Sequence, residues 1–370
     1  MHVKNQTSDY LFITYVASLI LFGLLVLSSA GVAEGLSNFG DAYFFIKRQL
    51  LLGFLPGLIL FFVCAKIDYH KWKKYSLPIF ILGIGLLILT FIPAIGSTNN
   101  TGSRSWINLF GHSFQPAEAM KLGLIIFLSA FLSTIGKRIE EFGSGFIVAL
   151  CIGLVPIALI VLQPDIGTAF ILACILFLLL VLSKARWSHL VILLLVGIIG
   201  FWIMVVSAPY RAERLTTFLH PELDPKGQGY QINQAFLAIG SGGWLGLGLG
   251  HSRQKFEYLP EVHADSIFAV AAEEFGFIVV VLFIALFLLI VLRGLKIARE
   301  SNDAFGILLA SGIMSWFVIQ SLLNIGAIVG LLPLTGVPLP FVSHGGSALM
   351  ISMAAMGIVV NVSKHTARST

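Results

Sequence analysis

The stretch "YLFITYVASLILFGLLVLSSAGV", residues 10 to 32, decides what kind of protein this is, because it carries no charged side chain from end to end. A helix rises about 1.5 Å per residue, so roughly 20 apolar residues cross the hydrocarbon core of a bilayer. The run is too long for the apolar core of a signal peptide, and no small-residue cleavage site stands out, so it is expected to remain as a first span. The rest of the chain repeats the pattern. Of 370 residues, 57% are hydrophobic and only 11% are charged. That excludes an ordinary soluble globular domain. Apolar runs at approximately 10–32, 47–67, 77–95, 116–135, 144–162, 166–183, 188–208, 265–292, 305–330 and 346–362 give about ten candidate spans.

Alternate loops differ in charge. One set, together with the termini, holds Lys4, Lys66, Lys71, Lys73, Lys74, Lys137, Arg138, Lys184, Arg186, Arg293, Lys296, Arg299, Lys364 and Arg368. The short loops of the other set hold few basic residues, which places both termini in the cytoplasm. The expected fold is therefore all-α: a polytopic integral membrane protein, one domain over residues 1–370, with a large outer loop at 209–264 between spans seven and eight. No strand alternation, nucleotide-binding motif or internal repeat interrupts it. The three cysteines, Cys64, Cys151 and Cys174, lie in apolar runs and read as packing residues. The net charge of +5 reports loop topology and gives no reason to expect a nucleic-acid partner.

The polar sequence gathers at the outer face. In "FQPAEAMKLG", 114–123, Pro116 suits a first helical turn and Gln115 the cap before it. Glu118 then reads either as an acid compensating the helix dipole or as half of a membrane-embedded ion pair with Lys121, three residues on. Arg104 reads as a fork for an anionic headgroup or as an interfacial anchor beside Trp106. Asp165 in "QPDIGT", 163–168, reads as a cap. Arg211 and Arg214 would share a helical face and hold a phosphate between them, or be solvated. In "EYLPEVHADSIFAVAAEEFGF", 257–277, Asp265 stands at the outer mouth of span eight. Glu273 and Glu274 point about 100° apart, so they cannot face one groove equally and suit structural roles. A carboxylate at a low-dielectric boundary has its pKa raised, which suits a general base. Arg104, Lys121, Arg211, Arg214 and Lys255 are candidate clamps for a pyrophosphate, and His263 a candidate to orient Asp265.

With "DPKGQGYQINQAFLAIGSGGWLGLGLGHSRQK" at 224–255 and "NIGAIVGLLPLTGVPLPFVSHGGSAL" at 324–349, these motifs resemble, over nearly the whole chain, the SEDS family of bacterial shape, elongation, division and sporulation proteins. The loops at 210–221 and 246–261 look most like its division branch, FtsW. The resemblance implies a peptidoglycan glycosyltransferase that polymerises lipid II at the outer face of the bacterial cytoplasmic membrane. It implies Asp265, Glu118 and Lys121 as catalytic residues, and Gln115, Ser343 and His344 among the substrate contacts. It also implies a divalent cation, Mg²⁺ or Mn²⁺, with Asp265 a possible ligand and no organic cofactor. The partners it implies are a class B penicillin-binding protein, other division-complex membrane proteins and undecaprenyl-linked glycan. The chain departs from the family pattern at Ala264 and Ser266, at Ala117, and at His344, where Tyr is usual. A lipid II flippase and a non-catalytic scaffold for the penicillin-binding protein remain alternatives.

Overall fold

A computed structural model describes residues 7–98, 103–109, 112–206, 215–224, 227–256 and 258–365. Seven helices are long and apolar enough to cross a membrane, and three shorter apolar helices, Ser76–Leu89, Ile166–Leu182 and Trp187–Gly200, accompany them. Each of the ten expected runs falls on one of these. Lipid offers no hydrogen bonds, so each segment must satisfy its backbone internally, and the helix is the solution that an uninterrupted apolar run allows.

The helices used below are α1 (Tyr10–Ala30), α2 (Val32–Phe39), α3 (Phe44–Gln49), α4 (Leu55–Lys66), α5 (Tyr69–Lys74), α6 (Ser76–Leu89), α7 (Pro116–Ile135), α8 (Ile147–Leu162), α9 (Ile166–Leu182), α10 (Trp187–Val206), α11 (Gln228–Ser241), α12 (Ile267–Arg299), α13 (Ala304–Ile328) and α14 (Gly346–Ser363). The bundle is built around α13 and α14, which are buried along most of their lengths. By contrast α10 presents Leu194, Leu195, Ile198, Ile199 and Trp202 outward, as a lipid-facing helix does. Small residues let α4 and α14 touch: a Cβ at Gly357 would lie 2.4 Å from Phe61 O, and one at Gly57 would lie 2.7 Å from Met353 Sδ. The end of the bundle that carries most of the basic residues is tied by Arg293 to Asp9 at 2.8 Å and by Tyr69 N to Asn361 Oδ1 at 2.8 Å.

The opposite end departs from the expected pattern in three ways. Where no strands are expected, a small antiparallel sheet precedes α7, formed by Gly96–Ser97, Trp106–Leu109 and His112–Phe114. Strands of two to four residues are too short to show alternation. Within the outer loop, residues 228–241 form α11. Finally, span eight is not one helix from 265. Gly276 breaks α12 with φ 73° and ψ 178°. Residues 267–274 are buried inside the protein, and the exposed apolar surface begins at Phe277.

The glycine-rich stretch Gly242–Gly250 explains the break. Its backbone lies against residues 272–277, with Leu247 N donating to Glu273 O at 3.0 Å and Phe277 N donating to Gly243 O at 2.9 Å. A Cβ at Gly276 would sit 2.2 Å from Gly246 N. Gly276→Ala is therefore expected to lower the thermal midpoint sharply, since it adds both a positive-φ strain and a backbone collision. Gly240→Ala, inside α11 with nothing within 4 Å of its Cβ position, is the control. It is expected to be neutral or to stabilise by about 0.5–1 kcal/mol. Equal effects in a thermal scan would refute this account of the loop.

Candidate active site

Asp265 sits in the turn just before α12, half-buried. Its Oδ1 accepts from Gln231 Nε2 at 3.3 Å and from Ser266 Oγ at 3.5 Å. Gln231 comes from α11 and also donates to Ser266 Oγ at 2.9 Å. The backbone oxygen of Asp265 accepts from Asn324 Nδ2 at 2.9 Å. Facing the carboxylate is the loop at 334–337, where a Cβ on Gly336 would lie 4.0 Å from Asp265 Oδ2. No cation lies within ion-pair distance of Asp265 among the described residues. Burial pushes its pKa up to about 6, and the negative charge of Glu261 adds to this; His263 and the Gln231 hydrogen bond oppose it.

That value sets a pH window. The carboxyl is therefore mostly ionised at neutral pH and mostly protonated well below pH 6. Infrared difference spectra, with chelator present, are expected to show a carboxyl titrating near 6 that Asp265→Asn lacks. Gln231→Leu removes a donor that favours the ionised form and is expected to move the midpoint upward. A midpoint at the ordinary aspartate value of about 4 would contradict the assigned environment.

Glu118 and Lys121 form the membrane-embedded pair, with Lys121 Nζ 2.7 Å from Glu118 Oε1. Their exposures are 2% and 0%. Lys121 also donates to Gln320 Oε1 at 2.7 Å and lies 4.9 Å from the Trp316 ring centre. Both are buried, so neither touches substrate directly in this structure, and the contact that Lys121 makes beyond the pair is to α13.

The remaining expected contacts divide by position. His263 and His344 come together, with ring centres 5.7 Å apart. His263 stacks on Phe45 and its Nδ1 lies 2.7 Å from Glu34 Oε2; His344 N donates to His263 O at 2.8 Å. Burial, then His263 and Arg48, push the His344 pKa down to about 3, so its ring stays neutral. Ser343 turns inward: its hydroxyl accepts from Leu339 N at 2.8 Å and holds its own loop. The Gln115 side chain reaches Asp165 Oδ2 at 3.4 Å, and Asp165 caps α9 through Thr168 N at 3.0 Å. Arg104 is exposed in the link between the first and second strands of the small sheet. Lys255 is corrected as a pyrophosphate clamp. Its ammonium is buried, 2.9 Å from both Ser29 Oγ and Glu274 Oε1. Glu273 meanwhile accepts from Arg253 N at 2.9 Å and from Ser252 Oγ. Arg211 and Arg214 lie outside the described residues.

The expected site residues did not include Gln231, Gln320 and Asn324. The last two carried a signal, being amides four apart in a run whose only other polar side chains are three serines, where polar groups are costly unless used. Nothing distinguishes Gln231 from Gln234 in the sequence.

The family described as cell cycle protein, which covers FtsW, RodA and SpoVE, matches residues 9–368. Stage V sporulation protein E of Bacillus subtilis (strain 168) is 42% identical over 99% of this chain and 100% of its own length. A probable peptidoglycan glycosyltransferase FtsW of Geobacter sp. (strain M18) is 39% identical over 96% of each chain. A chain of a solved peptidoglycan synthase complex, described as coordinating polymerization and crosslinking, superposes with a TM-score of 0.77 at 27% identity. That match covers 96% of this chain and 98% of the other. With a match that runs nearly end to end and full-length relatives at this identity, the chain belongs to the FtsW/RodA/SpoVE family.

Proposed function

We propose that this protein is a peptidoglycan glycosyltransferase that polymerises lipid II at the outer face of the bacterial cytoplasmic membrane, in septal wall synthesis. The observation that carries this is the Asp265 carboxylate: half-buried, unpaired by any cation among the described residues, and set in the turn that leads into the buried first segment of α12. The basic loops at the opposite end support an orientation with both termini cytoplasmic. The FtsW relatives support the septal setting, and the full-length likeness to a sporulation protein supports a second reading, wall synthesis during sporulation.

In the reaction, Asp265 accepts the proton of the 4-hydroxyl on the acceptor's GlcNAc. The freed oxygen attacks the anomeric carbon of the lipid-linked donor. The carbon–oxygen bond to pyrophosphate breaks, undecaprenyl pyrophosphate leaves, and the α-linked donor becomes a β-1,4 linkage. Both substrates stay anchored by their lipids, so the protein has only to hold and orient headgroups. Arg104, exposed at the same end, is suited to the pyrophosphate.

A divalent cation fits the donors present. Asn324 Oδ1 and Thr335 Oγ1 are buried without partners and line the same cleft as Asp265, an all-oxygen set suited to Mg²⁺ or Mn²⁺. When bound, such an ion supplies positive charge to the leaving pyrophosphate. A class B penicillin-binding protein is the proposed partner, with other division-complex membrane proteins around it.

The test is purified protein with lipid II, with and without that partner, scored for polymer. Movement of labelled lipid II across proteoliposomes with no polymer formed would favour a flippase instead. A protein that neither polymerises nor moves lipid II, yet recruits the crosslinking enzyme, would be a scaffold.

A further inference from the structure

The ammonium of Lys121 is fully buried, and such a charge is tolerated only when its donors find partners. One partner is Glu118; the other is Gln320 Oε1 at 2.7 Å. The same amide oxygen accepts from Trp316 Nε1 at 2.7 Å. Two donors converge on it, so the amide of Gln320 is held one way round. Its nitrogen then faces the loop that follows α13 and donates to Pro338 O at 2.9 Å.

Asn324 lies four residues further along α13, on the same face. Its nitrogen donates to Val337 O and to Asp265 O, each at 2.9 Å. Two carbonyls demand the nitrogen here, which fixes this amide too. Gln320 and Asn324 thus hold consecutive carbonyls of one loop, and Asn324 bridges that loop to the Asp265 backbone. The adjacent residue, Gly336, has φ 68° and forms the wall facing the carboxylate.

We propose that Gln320 and Asn324 are positioning residues. They form a relay that fixes Asp265 against the 334–341 loop, and buried Lys121 is the anchor that orients the first amide. This rests on Asp265 being the base. It explains how a pair too deep to touch substrate bears on the reaction. Asn324→Leu abolishes both donations. Gln320→Met has no hydrogen for Pro338 O, at similar volume and with no charge added beside Glu118.

The test measures lipid II polymerisation, thermal unfolding and backbone hydrogen exchange for the full chain with its crosslinking partner. Each variant is expected to lower kcat about tenfold or more with KM within about threefold. Exchange is expected to quicken in both 262–266 and 334–341. Lys121→Met combined with Asn324→Leu should lose no more activity than the worse single variant, because both cut one relay. Losses that multiply, or exchange left unchanged in both segments, would overturn the relay. Faster exchange with wild-type kcat would overturn the positioning role while leaving the base itself to the Asp265→Asn measurement. If Asn324→Leu does not fold, Gln320→Met carries the same comparison, since it removes the donation to Pro338 O without burying a charge.

Discussion

Asp265→Asn is expected to lower lipid II polymerisation at least 100-fold while the protein stays folded. General-base catalysis by a positioned carboxylate contributes about 10²–10⁴-fold, and an amide cannot take the proton. The side chain keeps its size and its capacity to accept from Gln231, now 3.3 Å away. Burial already disfavours the ionised form, as the raised pKa records. The linkage sign follows: a carboxyl whose folded pKa lies above its unfolded value stabilises the fold most at low pH, and that contribution is lost as pH rises through about 6. The neutral amide removes this loss. At pH 7.5 the variant should therefore unfold at the wild-type temperature or above it. Activity and stability move in opposite directions, which a merely structural aspartate would not show. Polymer formed by Asp265→Asn at the native rate would remove this residue from the chemistry and return the scaffold and transporter readings to consideration.

The spans were legible because a bilayer demands long apolar runs, and that demand is written residue by residue. The break at Gly276 was not, because the apolar pattern runs straight through it; the reason for the break lies in Gly246, thirty positions away in the chain. The same limit explains Lys255. Its neighbour Ser29 sits on α1, and no local spacing reveals a contact across 226 residues. Asp265, Glu118 and Lys121 were legible as charges where charge is costly. Their depths were not: a half-buried carboxylate and a fully buried pair look alike in sequence, because depth is a property of packing. The small sheet before α7 was hidden by the shortness of its strands.

The second large effect concerns stability. Lys121→Met leaves Glu118 with no cation at 2% exposure, and its Oε2 already has no hydrogen-bond partner. Removing one partner of a buried ion pair costs about 3–5 kcal/mol, much of it the penalty of the stranded charge. The single variant should therefore unfold well below the wild type in a thermal scan in micelles. The double variant Glu118→Leu with Lys121→Met has a different expectation. Replacing both charges with apolar groups of similar volume is often neutral, so most of the lost stability should return. Activity should not return with it. Gln320 Oε1 would keep only its bond from Trp316, and the amide that holds Pro338 O would lose the anchor that orients it. A double variant that is stable yet about tenfold or more slower in polymerisation separates the two roles of the pair. A double variant that recovers full activity would show that the charges serve the fold alone, and that Asp265 is held in place without them.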